Sequence, residues 1–115
     1  MKEVIIGWDV GGANIKAVRI QRDSKSENQL KFAGVQRAFS LWREPRKLSA
    51  VLADMGGAFE DTNLIRGMAV TMTAELADCF SSKRDGVVFV LDAFRTAFPE
   101  IELQVYGIDG RFRSV

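Results

Sequence analysis

Apolar positions along this chain follow two rhythms. Val4-Ile5-Ile6-Gly7-Trp8 is a short, almost continuous apolar run ending at Asp9, which predicts a first strand covered on both faces. Beyond Gly11-Gly12, the mixed β-branched stretch Ile15 to Ile20 predicts a second strand rather than a helix. Gln21 to Gln29 is polar throughout and reads as a loop, and Leu30 to Arg37 then alternates loosely as a third strand. An antiparallel meander follows from these three. The period then lengthens: Pro45 suits a first helical turn, and Leu48, Val51, Leu52, Met55 and Phe59 fall on one helical face, with Gly56-Gly57 as the stop. Leu64 to Thr73 is apolar and β-branched enough for a buried fourth strand. Ser82-Lys83-Arg84-Asp85 resembles a capping box with Asp in place of Glu, ahead of Val87, Val90, Leu91, Phe94 and Phe98 at helical spacing and a stop at Pro99. Ile101, Leu103 and Val105 alternate as a fifth strand, with no further element before Val115.

The predicted order is β-β-β-α-β-α-β. A meander feeding two crossovers is an α/β layout, a ribonuclease H-like mixed five-stranded sheet with helices packed on it. Neither repeats nor a linker divide the chain, so residues 1–115 read as one unit.

Composition narrows the chemistry. The 115 residues are 47% hydrophobic and 27% charged, a soluble globular balance, and a chain of this size buries roughly two-thirds of its unfolded surface. Sixteen Lys and Arg against fifteen acids leave a net charge of +1, so no basic field recommends nucleic acid as a partner. There is no His, which excludes Ser-His and Cys-His nucleophiles, an imidazole base and the usual His-bearing zinc sites within the chain. The single Cys79 cannot form an internal disulfide. No apolar run approaches the roughly 20 residues of a membrane span, and the start lacks a signal-peptide pattern. The expected location is the cytoplasm.

The densest chemical signal is Asp9-Val10-Gly11-Gly12-Ala13-Asn14-Ile15-Lys16, lying between two strands. Paired glycines let backbone N–H groups approach an anion, Asp9 at the carboxyl end of a strand suits a hard cation, and Asn14 and Lys16 add donors for phosphate oxygens. The segment opens a strand and lacks both G-x-G-x-x-G and G-K-[ST], so dinucleotide and Walker loops are set aside. The plainer reading is a hairpin turn capped by Asp9. On letters alone both stand.

The Asp9 to Lys16 segment resembles the first phosphate motif of the acetate kinase, sugar kinase, Hsp70 and actin superfamily, whose first subdomain has the same element order. More narrowly, Ile6 to Lys16, Leu41-Trp42-Arg43-Glu44 and Ala69 to Phe80 are similar to the hydantoinase A/oxoprolinase-related proteins of tetrahydromethanopterin-linked one-carbon transfer. That group includes a methanofuran-biosynthesis enzyme joining an aminomethylfuran diphosphate to glutamyl-tyramine with loss of pyrophosphate. The resemblance implies a first subdomain of an actin-like ATPase or kinase fold, with the second absent from this chain. It further implies a Mg2+-dependent transferase or kinase-like activity when complete and a diphosphate or ATP as ligand. The rival is a non-catalytic nucleotide-sensing or assembly module, in which a sheet edge or face mediates self-association.

In that frame Asp9 binds or orients the metal, Gly11, Gly12, Asn14 and Thr73 hold phosphate, and Lys16 neutralises charge. Glu75 or Asp78, following the fourth strand, serves as the base, with Asp109 a further candidate for the metal. The plainer reading has Thr73 capping a short helical turn with the acids in its N-terminal field. Trp42 and Arg43 either stack a ring-bearing substrate and bind its anion or, for Trp42, anchor the loop over the nearby helix. Cys79 reads as a small buried side chain and Lys83-Arg84 as a solvated basic spot.

Overall fold

The computed structural model describes residues 2–23, 30–59, 65–73, 81–106 and 112–114. Strands β1 (Lys2–Val10), β2 (Asn14–Asp23) and β3 (Leu30–Ala38) form the antiparallel meander. A short 3-10 turn, Pro45–Lys47, leads into α1 (Leu48–Gly57). Strand β4 (Ile65–Met72) then runs parallel to β1. Helix α2 (Lys83–Ala97) returns the chain to β5 (Leu103–Tyr106), parallel to β4. All five predicted strands and both helices are present. The sheet also has a sixth strand, β6 (Phe112–Ser114), antiparallel to β5, where none was expected, giving the order β3-β2-β1-β4-β5-β6.

Alternation along β1 decides where the core sits. Val4, Ile6, Trp8 and Val10 are buried, joined from β2 by Ile15 and Ala17 and from β4 by Met68 and Val70. Both helices pack on this face: Leu48, Val51, Leu52 and Met55 from α1, and Val90, Ala93 and Phe94 from α2. Trp8 sits edge-on to Phe94 with ring centroids 5.4 Å apart and lies 5.8 Å from Phe98. Its indole N–H has no hydrogen-bond partner among the described residues, so packing rather than a hydrogen bond orients the ring.

The expectation that β1 is covered on both faces is corrected. Ile5 is 47% exposed, and no described helix covers the sheet on that side. The continuous apolar run arises because Ile5 and Gly7 occupy the open face between core residues.

The glycines of α1 also do something other than stop it. A Cβ on Gly56 would lie 2.8 Å from two Phe98 ring carbons, so the missing side chain is what lets the two helices close over Trp8. At the start of α2 the Ser82 side chain accepts the Asp85 amide at 3.1 Å, the predicted cap, while the Asp85 carboxylate accepts the Ser81 hydroxyl. The Ser81 hydroxyl first and the Ser82 hydroxyl second hold the Asp85 carboxyl below the usual range against some desolvation, with the Arg84 charge adding to it.

Candidate functional site

The turn after β1 is tied at three points. Gly11 N–H donates to the Asn14 carbonyl at 2.9 Å, Leu41 N–H to the Gly12 carbonyl at 3.1 Å, and Phe39 N–H to the Ala13 carbonyl at 2.9 Å. A Cβ on Gly11 would meet the Asn14 carbonyl oxygen at 3.1 Å, whereas nothing lies within 4 Å of one on Gly12. Glycine at 11 therefore closes the turn, and glycine at 12 leaves it open to solvent. The Gly11 amide is engaged inside the turn, while the amides of Gly12 and Ala13 make no backbone hydrogen bond among the described residues. Those two amides are the donors an anion would find here.

One layer below, register brings side chains together from four strands. Asp9 stands opposite Lys16 on β2 and Thr71 on β4, and Lys16 stands opposite Gln36 on β3. Directly opposed residues share a face with Cβ atoms roughly 5 Å apart, so Gln36, Lys16, Asp9 and Thr71 form a polar row on the open face. Asp9, Lys16 and Thr71 are exposed, and no ion pair joins Asp9 to Lys16. Beneath the row lies a shallow depression of about 340 Å³, with Gly7, Val18 and Ala69 contributing an apolar floor.

Thr73 continues the parallel pairing beyond β4 by donating its N–H to the Val10 carbonyl at 3.0 Å. Its hydroxyl lies 3.7 Å from where a Gly11 Cβ would be, so Thr73 flanks the turn. Asn14 opens β2 and is exposed. Five of the sequence candidates, Asp9, Gly11, Gly12, Lys16 and Thr73, thus gather at one edge of the sheet with Asn14 beside them. Glu75, Asp78, Cys79 and Asp109 lie outside the described residues.

Two residues were missed. Thr71 enters through the β1–β4 register, and the Ala13 amide enters because the loop after β3 takes its carbonyl rather than its N–H. The loop anchor is also corrected: Leu41 is fully buried, whereas Trp42 is 56% exposed with the Arg43 guanidinium 4.8 Å above its ring.

A cation here would rely on few carboxylates. No cluster of three or more metal-ligating side chains occurs among the described residues, and Asp9 is the acid of the polar row. That donor set does not make a closed protein cage, but it fits Mg2+, which commonly takes one or two carboxylates and fills its other positions with water and substrate phosphate. No helix among the described residues is long and apolar enough to cross a membrane.

No protein-family model matches the chain. It is 31% identical over 112 residues to the (4-{4-[2-(gamma-L-glutamylamino)ethyl]phenoxymethyl}furan-2-yl)methanamine synthase of Methanocaldococcus jannaschii, covering 97% of this chain and 30% of that protein. The chain therefore spans less than a third of the length of this relative. Among solved structures, an Aquifex aeolicus member of the Ppx/GppA family superposes with a TM-score of 0.57 at 13% identity, over 91% of this chain and 35% of that one. The RuvC of T. thermophilus, solved with a Holliday junction substrate, gives 0.57 at 15% identity over 93% and 66%. The fold is ribonuclease H-like. The methanofuran side of the sequence resemblance meets the synthase, and the hydantoinase and oxoprolinase side is carried by none of these proteins.

Proposed function

We propose that this chain is the diphosphate-handling part of an enzyme of methanofuran-related metabolism, a Mg2+-dependent transferase completed by a second subdomain. The observation that carries the reading is the polar row Lys16–Asp9–Thr71 directly under a turn with two amides that make no backbone hydrogen bond among the described residues. The synthase supplies the substrate class, since its name describes a phenoxymethyl-furan ether. Making that ether from a furan-methyl diphosphate and a phenol breaks the carbon–oxygen bond to the diphosphate, which leaves with the electron pair. The phenolic oxygen takes its place on carbon and gives up its proton to a base.

On this reading the Gly12 and Ala13 amides, Asn14 and Thr73 hold the leaving diphosphate in place, and Lys16 opposes the charge it gains as the bond breaks. Asp9 holds Mg2+, which when bound supplies further charge neutralisation at the diphosphate. Trp42 offers an exposed ring face for an aromatic part of the substrate. Glu75 or Asp78 serves as the base. None of this needs a histidine, because positioning and charge neutralisation dominate such displacements.

Calorimetric titration of the 115-residue chain with pyrophosphate and with ATP, each with and without Mg2+, tests the site. Mg2+-dependent binding of pyrophosphate is expected, lost in Asp9→Asn and weakened roughly tenfold or more in Lys16→Ala, as for one charge-assisted contact. Lys47→Ala, away from the turn, is expected to bind normally. Binding that survives both site substitutions unchanged removes the site assignment, and ATP bound in preference to pyrophosphate moves the reading toward a kinase-like enzyme.

A further inference from the structure

The edges of the sheet are unlike one another. At one end β6 is three residues long, whereas at the other β3 is nine residues long and pairs with β2 in an unbroken register from Arg22–Leu30 to Asn14–Ala38. Its outer side pairs with no other strand among the described residues, so its outward backbone donors and acceptors are available. Exposed edge strands are ordinarily protected by proline, a bulge, shortness or dense charge. Strand β3 has no proline, no bulge and only two charged residues, Lys31 and Arg37, and Arg37 is engaged with Asp54 at 2.6 Å. Its open face instead carries Leu30, 50% exposed, and Phe32, 65% exposed.

We propose that β3 pairs antiparallel with β3 of a second copy of this chain, joining two sheets into one about a two-fold axis at Ala33. An extended strand is the ligand a strand edge recognises, and the unequal edges say which one. Pairing β3 to β6 would repeat head to tail over only three residues, whereas pairing β3 to β3 uses the long edge twice and closes the assembly.

The register follows from side chains. Centring on Gly34 would place Lys31 opposite Arg37 of the partner subunit, like charges directly opposed. Centring on Ala33 sets Lys31 against Val35 of the partner subunit and Phe32 against Gly34 of the partner subunit. Gly34 has only ordinary contacts around its Cβ direction, the nearest being the Ala17 carbonyl at 3.7 Å, so a ring can lie over it. An aromatic residue covering a cross-strand glycine is a recurrent stabilising device in sheets. A net charge of +1 leaves little repulsion between copies.

The pairing is tested by sedimentation equilibrium of the whole chain over a wide concentration range, together with Ala33→Cys in a Cys79→Ser background under mild oxidation. The expected results are a species of twice the chain mass, association weakened at least about tenfold by Phe32→Lys through loss of two symmetry-related cross-strand pairs, and a disulfide-linked dimer at position 33. Circular dichroism of Phe32→Lys is expected to match the parent, because that side chain stands outside the core. A chain that stays monomeric at every concentration, a dimer indifferent to Phe32→Lys, or no cross-link at position 33 overturns the proposal.

Discussion

On one side of β1, Val4, Ile6, Trp8 and Val10 are sealed under α1 and α2; on the other side of the same strand, Ile5 is half exposed, Gly7 floors a depression and Asp9 faces solvent. The even-numbered residues build the core. The odd-numbered ones line the open face, running from Glu3 and its arginine partners at one end, through an apolar band, to Asp9 beside Lys16 and Thr71 at the other. The difference teaches that the core and the proposed ligand site lie on opposite faces of one sheet, so stability and binding should be separable by substitution.

The largest test compares the faces directly. Leu52, fully buried under the sheet, is expected to cost about 2–5 kcal/mol on substitution by alanine, the range for a buried leucine that leaves a cavity. Ile5→Ala removes a comparable volume from the open face and is expected to cost under ~1 kcal/mol. Urea unfolding of both variants measures the contrast. If Ile5→Ala proved as damaging as Leu52→Ala, the open face would be covered in solution and the comparison would collapse.

How far this division was legible depends on the range of the contact concerned. Element types follow from local pattern, and Asp9, Gly11, Gly12 and Lys16 lie in one strand-turn-strand segment, so they could be picked out together. The one-sided burial of β1 could not, because Ile5 looks like Ile6 until the helices are known to share a face. Thr71 was hidden in the parallel register between β1 and β4, elements about sixty residues apart in sequence. Similarly, the tie of the turn's Gly12 and Ala13 carbonyls to Leu41 and Phe39 is a contact across nearly thirty residues that local pattern does not show. Local pattern left Trp42 open between stacking a substrate and anchoring its loop; burial of Leu41 in its place shows that the neighbouring residue is the anchor. The extra strand β6 is too short for periodicity to mark.

A sharper, smaller test lies where the covered face is tightest. Gly56→Ala places a methyl 2.8 Å from the Phe98 ring, which is itself packed on Trp8 and Phe94, so the ring must shift and disturb those contacts. Overpacking of this kind costs about 1–3 kcal/mol, offset by up to ~1 kcal/mol of helix propensity, so a net loss near 1 kcal/mol is expected. Gly57→Ala, with nothing within 4 Å, is expected to be neutral or slightly stabilising. Thermal unfolding of the two adjacent variants should therefore move in opposite directions or differ clearly, and equal shifts would mean that the helix contact is looser than the ring positions imply.

The smallest effect is expected at the charged end of the open face. Glu3 accepts from Arg22 at 2.7 Å and from Arg66 at 2.7 Å, and the Arg22 contact, then the Arg66 one, holds its carboxyl below the ordinary value of 4.5 despite some opposing desolvation. A carboxyl lowered on folding releases its proton more readily in the folded chain, so its stabilisation is complete above the unfolded value and disappears as pH falls through that value toward the folded one. Stability measured by urea midpoint should therefore carry a Glu3-dependent decline on acidification below about pH 5, and Glu3→Gln should flatten that part of the profile. Because the pair is solvent-exposed, added salt should shrink the difference between parent and variant, whereas the Leu52→Ala penalty should hardly respond. An acid decline unchanged by Glu3→Gln would assign it to other carboxylates and leave the charged end of the open face without a measurable part in folding.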